Sequence, residues 1–215
     1  MSGKRTHLTT IDAVLFDMDG TLVNSDAAVE RAWMAWAGEF SVDPAAVLAI
    51  AHGTSALHTI RQLLPQADAA TVAAAAARQL ALQYDDLADV VALRGAEELL
   101  GLLRRCGLPW AVVTGADAPL AKARLSAAGI RAPVLLTVDD VTAGKPDPEG
   151  YLLAARQLGV NIARCLVVED AEAGVAAGRA AGAMVAALKG VPADLAIQDL
   201  GDLARQLPGL AEVVR

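Results

Sequence analysis

The sequence predicts an α/β fold: a parallel sheet covered by helices on both faces, interrupted by one inserted helical domain. Short apolar runs alternate with Ala- and Leu-rich segments of helical length through most of the 215 residues. Apolar residues fill both faces of those runs, as strands covered on each side require. Between Phe16 and Trp110 the alternation stops, and the chain carries helical pattern with no convincing strand over far more residues than one crossover needs.

The first run is Ala13-Val14-Leu15-Phe16. Trp110-Ala111-Val112-Val113, Val134-Leu135-Leu136, Leu166-Val167-Val168 and Met184-Val185-Ala186-Ala187 follow it. Helices are predicted between them over Glu97–Cys106, Leu120–Ala128, Glu149–Leu158 and Ala171–Ala181. Gly107, Gly129, Gly159 and Gly182 stand where their C-terminal turns belong. In the interruption the candidate helices are Ala27–Glu39, Pro44–Ala51, Ser55–Leu64 and Ala69–Tyr84. The inserted domain is expected over residues 25–93, leaving 11–24 and 94–215 as the core and 1–10 as a flexible N-terminus. Helices this rich in alanine form readily but bury little area per residue, which suits a domain that rocks against its core.

Composition narrows the function. Hydrophobic residues make up 55% and charged residues 20%, as in a well-buried soluble protein rather than a disordered one. A net charge of −7 argues against a nucleic-acid partner, which clustered Lys and Arg would grip. It does not exclude a small phosphorylated substrate, because a bound cation reverses the field inside one pocket. No apolar stretch is long enough and free enough of charge to span a membrane, so no membrane partner is expected. Met1 to Thr10 carries Lys4 and Arg5 with no apolar run behind them, unlike a signal peptide. Cys106 and Cys165 are read as buried free thiols rather than a disulfide, and a cytoplasmic location is expected. The oligomeric state is left open, a monomer being compatible with everything above.

Polar clusters follow the apolar runs. Asp17-Met18-Asp19-Gly20-Thr21 ends the first, Thr114-Gly115 the second, and Glu169-Asp170 the fourth. The third leads through Asp139-Asp140 to Lys145-Pro146-Asp147-Pro148. Ligands of open parallel sheets bind beyond the carboxyl ends of the strands, so four clusters far apart in sequence converge on one edge. Carboxylates without a His or Cys ligand set point to a hard cation, magnesium above all. One lysine among the acids can neutralise an aspartate nucleophile and a phosphate oxygen together. Gly20 and Gly115 would let backbone N–H groups approach a phosphoryl group. A carboxylate nucleophile beside a metal fits phosphoryl transfer through an acyl phosphate.

Asp17-Met18-Asp19-Gly20-Thr21-Leu22-Val23 resembles the first signature of the haloacid dehalogenase-like superfamily. Thr114, Lys145-Pro146 and Glu169-Asp170 match its other three in the expected order. The resemblance covers nearly the whole chain. It is closest to sugar- and polyol-phosphate phosphatases with a helical cap, and hexitol phosphatases come first among them. Asn24-Ser25, Ala28-Val29-Glu30-Arg31-Ala32-Trp33, His52-Gly53 and the stretch from Glu169 to Gly178 carry that likeness.

The resemblance implies a Rossmann-like core with an α-helical cap and magnesium-dependent hydrolysis of small phosphate monoesters, and it implies the following roles. Asp17 is the nucleophile and a metal ligand. Asp19 is acid to the leaving alkoxide and then base to the water, with its backbone carbonyl on the metal. Thr114 and Lys145 hold the phosphoryl group, and Asp170 completes the metal site with Glu169 as its direct or water-mediated support. His52 is the candidate substrate contact in the cap, ahead of His58. Trp33 and Trp36 read as cap packing, and Asp139 and Asp140 as helix-capping or surface acids. The chain departs from its relatives after Thr114, where Gly115-Ala116-Asp117 replaces the usual Ser or Asn followed by Gly.

A phosphosugar mutase is the first rival, but the arginine that related mutases place shortly after the His52-Gly53 equivalent is replaced by Ala56. A non-catalytic phosphate sensor is disfavoured because every acid and the lysine needed for turnover are present. Phosphonate cleavage would need a cap lysine, and none occurs between Lys4 and Lys122.

Overall fold

A computed structural model describes residues 11–51, 56–84 and 87–210. The expected flexible N-terminus and His52 lie outside the described residues. Strand β1 (Ala13–Phe16) leads into a short β2 (Val23–Asn24) and four helices: α1 (Asp26–Phe40), α2 (Pro44–Ala51), α3 (Ala56–Leu63) and α4 (Ala69–Leu82). The chain returns through β3 (Val91–Ala92) to α5 (Ala96–Cys106), β4 (Trp110–Val113), α6 (Ala118–Ala127), β5 (Leu135–Leu136) and α7 (Glu149–Leu158). Strand β6 (Cys165–Glu169), α8 (Glu172–Ala181), β7 (Met184–Ala187), β8 (Leu195–Ala196) and α9 (Leu200–Leu210) complete it.

Six strands form one parallel sheet in the order β5-β4-β1-β6-β7-β8. Strand β1 therefore sits between β4 and β6, where the winding of the chain reverses and ligand crevices open in such sheets. Phe16 is level with Val112 on one side and Val168 on the other. That register brings Asp17, Thr114 and Glu169 to the same edge, one or two residues past the aligned positions.

The strands are apolar on both faces because both are buried. Val14, Phe16, Val112 and Val168 pack with Leu99 and Leu103 of α5, Leu120 and Leu125 of α6, and Leu203 of α9. Ala13, Leu15, Val113 and Val167 face the other way, onto Tyr151 and Ala154 of α7 and Val175 of α8. Helix α5 shows how sequence sets such an element. Glu97 and Glu98 lie in its first turn and Arg104 and Arg105 in its last, matching the helix dipole. Gly107 ends it at φ 64.

Helices α1 to α4 enclose a cluster of their own, built on Trp33, Trp36, Val47, Ile60 and Val72. The two tryptophans meet edge to face at 5.5 Å, and the Trp36 indole N–H donates to the Ala75 carbonyl at 2.9 Å. Both are packing residues, with Trp33 3% and Trp36 0% exposed. Strands β2 and β3 pair antiparallel, Val23 with Ala92 and Asn24 with Val91, closing the neck of this helical segment. Among the described residues no helix is long and apolar enough to cross a membrane. Both cysteines are free, but only Cys165 is buried. Cys106 is the last residue of α5 and is exposed there, next to the Gly107 that ends the helix.

Candidate active site

At the carboxyl end of β1 the Asp17 amide donates to the Val168 carbonyl at 2.9 Å, which fixes Asp17 between β1 and β6. The Lys145 ammonium reaches Asp17 Oδ1 at 2.5 Å and Glu169 Oε1 at 2.7 Å. The Tyr151 hydroxyl donates to the same Glu169 oxygen at 2.6 Å, and its ring lies 5.3 Å from Lys145 Nζ. One oxygen each from Asp17, Glu169 and Asp170 lie within 4.8 Å of one another. Burial pushes the Asp17 carboxyl up; Lys145 opposes this, while Glu169 and Asp170 add to it. Burial acts to lower Lys145, but Asp17 and Glu169 outweigh it and hold the lysine above its ordinary value, protonated. Tyr151 is raised by burial and then by Glu169, so it stays a neutral donor.

The backbone after Asp17 turns tightly, the Met18 carbonyl accepting from the amides of Thr21, Leu22 and Val23. Gly20 makes that turn at φ 79, and a Cβ there would overlap the Asp170 carboxylate. Glycine is thus required twice, by conformation and by space. The Thr21 hydroxyl lies 3.4 Å from Asp170 Oδ1. Thr114 is 6% exposed and its Oγ1 accepts from the Ala116 amide at 3.1 Å, leaving its O–H to donate. At Gly115 a Cβ would meet nothing within 4 Å, so protein packing does not demand glycine there.

The Asp19 carboxylate turns to different partners. Its Oδ1 accepts from the Ser25 hydroxyl at 2.6 Å, and its Oδ2 pairs with Arg124 Nη1 at 2.8 Å. Lys189, at φ 52 just after β7, lies 3.0 Å from Asp170 Oδ2 and 3.2 Å from Asp26. Burial raises the Asp170 carboxyl and Lys189 opposes it.

Asp17, Lys145, Glu169 and Asp170, expected together, lie together, with Thr114 one strand away on the same edge. Asp139 and Asp140 are engaged as acceptors of backbone amides: Asp140 accepts locally from the Thr137 amide and hydroxyl, and Asp139 from the Ala118 amide at the start of α6. Asp117 caps α6 by accepting from the Leu120 amide, so the departure after Thr114 serves a helix start. His58 is exposed, its Nε2 2.7 Å from the Gln62 amide nitrogen. Arg124, Lys189 and Tyr151 escaped the sequence reading. Arg124 had a signal: it occupies a core-facing place in the stripe Leu120, Ala121, Arg124, Leu125. Lys189 follows the fifth apolar run, on the edge already marked by the others.

The oxygen-only donor set, with three carboxylates converging, fits a hard divalent cation. Asp17 and Asp170 are lifted first by burial and then by neighbouring carboxylates, and a cation there would offset both.

Residues 11–182 match the haloacid dehalogenase-like hydrolase family. Hexitol phosphatase A of Escherichia coli (strain K12) is 45% identical over 181 residues, covering 84% of this chain and 83% of that protein. 2-Deoxyglucose-6-phosphate phosphatase 1 of Saccharomyces cerevisiae is 34% identical, over 80% and 78% of the two chains. The crystal structure of a hydrolase from Pseudomonas syringae superposes with a TM-score of 0.84 at 26% identity, covering 94% of this chain and all of that one. With this match running from β1 to the end of α8, the chain belongs to the haloacid dehalogenase-like hydrolases.

Proposed function

We propose that the protein is a magnesium-dependent phosphatase that hydrolyses small sugar or polyol phosphates through an aspartyl-phosphate on Asp17. The observation that carries this reading is the buried Asp17 carboxylate, paired with Lys145 and converging with Glu169 and Asp170 at the carboxyl end of the central strand. The names of the two phosphatase relatives support the substrate class.

In the first step Asp17 Oδ attacks phosphorus, the bond from phosphorus to the alkyl oxygen breaks, and Asp19 gives that oxygen a proton. In the second, Asp19 takes a proton from water, the water oxygen attacks phosphorus, and the bond to Asp17 breaks to release inorganic phosphate. Lys145 and the Thr114 hydroxyl hold phosphoryl oxygens during both steps. Asp17, Asp170 and the Asp19 backbone carbonyl are the assigned magnesium ligands. Bound there, the ion would offset repulsion between phosphate and carboxylates. Both oxygens of Glu169 already have donors, Oε1 from Lys145 and Tyr151 and Oε2 from the Asp170 amide, which suits support rather than direct ligation. The helical segment 25–93 is assigned as the cap that covers this edge, and His52 keeps its assignment as the candidate substrate contact.

A screen of phosphorylated sugars and polyols in magnesium, reading free phosphate and, in parallel, any isomerised sugar phosphate, tests the activity. Phosphate release without isomerisation is expected. Asp17→Asn should abolish that release with the melting transition retained. Normal turnover by this variant would remove Asp17 from its role, and isomerisation as the main product would make the protein a mutase.

A further inference from the structure

We propose that Arg124 is a positioning residue for Asp19, and that it ties the acid–base group to the neck of the helical segment through Gln83. The proposal rests on the acid–base reading of Asp19 given above. Arg124 is 2% exposed, on a helix whose neighbouring inward residues are Leu120, Ala121 and Leu125. A guanidinium buried this completely is costly, and an apolar side chain of similar size would fill the space at no such cost. Its partners are specific. Nη1 pairs with Asp19 Oδ2 at 2.8 Å, Nη2 donates to Gln83 Oε1 at 2.7 Å, and Nε has no partner among the described residues.

Gln83 is the C-cap of α4, the last helix before the chain returns to the core. Next to it, Tyr84 donates to both oxygens of Asp117, the N-cap of α6, at 2.6 and 2.7 Å. Two successive residues of the return linker thus grip α6, and one grips it through the side chain that also holds Asp19. Movement of the linker removes a partner from the guanidinium and disturbs its hold on the acid.

The same geometry selects the oxygen that handles the proton. Arginine has five donors and no acceptor, so Oδ2, turned to Arg124, is committed as an acceptor. Oδ1 faces the Ser25 hydroxyl, which is 2% exposed and can accept as well as donate. The proton that Asp19 moves is carried on Oδ1.

The test measures single-turnover rates with a hexose 6-phosphate and with p-nitrophenyl phosphate, whose leaving group needs no proton. Arg124→Met should slow the hexose phosphate by about ten- to a hundredfold, the coupling expected between groups in contact. The loss should be smaller for the aryl ester and partly recovered in Arg124→Lys. In an Asp19→Asn background, Arg124→Met should change the rate by less than about twofold, because paired groups that act as a unit are non-additive. The same fractional loss with and without the Asp19 carboxyl would overturn the proposal. If Arg124→Met fails to fold, Gln83→Ala carries the test. It should slow the hexose phosphate by about two- to fivefold and have no effect in the Asp19→Asn background. No loss, or equal losses in both backgrounds, would overturn it. Wild-type rates for Asp19→Asn alone would remove the acid–base reading and this inference together. An impaired Asp19→Asn with additive Arg124 losses would overturn only the placement by Arg124.

Discussion

Gly20 shows how closely single residues are constrained at this edge. Its φ of 79 lies where L side chains are strained, and the direction a Cβ would take is filled by Asp170, with Lys189 beside it. Gly20→Ala should therefore act on chemistry as well as on stability. A strained backbone costs about 1–3 kcal/mol, and relief by displacing Asp170 would damage the carboxylate cluster. The expected result is a lowered melting temperature together with a loss of activity that extra magnesium only partly restores. A fully active, unshifted Gly20→Ala would contradict the tight contact between this turn and Asp170. Tyr151 matters for a related reason. A buried phenol that stays neutral keeps one Glu169 oxygen as an acceptor and backs the lysine with its ring.

At the scale of elements, the helical segment stands apart in how it is held. Its cluster draws on α1 to α4, whereas the two faces of the sheet draw mainly on α5 to α9, with Ala28 of α1 and Leu80 of α4 reaching the first of them. The short β2–β3 pair joins the two, together with the contacts of Gln83 and Tyr84 on α6. Trp36 carries much of the segment's burial, so Trp36→Ala should cost about 3–5 kcal/mol by loss of transfer energy and creation of a cavity. It also leaves the Ala75 carbonyl without its indole donor. Because the cluster is local, chemical denaturation of this variant should split into two transitions, the helical segment melting first. A single transition shifted as a whole would show that segment and sheet unfold as one unit.

At the scale of the molecule, charge balance at the sheet edge links metal to stability. Among the described residues, the cations paired with Asp17, Glu169 and Asp170 are Lys145 and Lys189, and Asp17 and Asp170 are lifted by burial and by other acids. A ligand that binds the native state alone stabilises it by mass action, about 2.7 kcal/mol at a hundredfold excess over Kd. Magnesium should therefore raise the melting temperature of chelator-treated protein, independently of any turnover, and Asp170→Asn should abolish most of that rise. An unchanged shift in Asp170→Asn would remove this carboxylate from the ligand set.

The apolar runs at Ala13, Trp110 and Met184 become strands over the ranges read from them, because burial on both faces leaves no other arrangement for them. The four helices of the interruption, and the return of Asp17, Lys145, Glu169 and Asp170 to one edge, were legible for similar reasons. Local periodicity marks an element, and a parallel sheet delivers every strand end to the same side. The two-residue strands β2, β3 and β8 were not legible, since no alternation can show over two positions, and α9 went unread beyond the last apolar run. Neither was the strand order, which decides that β1 lies against β6 and so sets Asp17 beside Glu169. The sequence also kept hidden that Asp19 answers to Arg124, that Lys189 stands on Asp170, and that Cys106 faces solvent. Each depends on how far one helix or loop is rotated against another, and that is set by the packing of residues distant in sequence rather than by any local pattern.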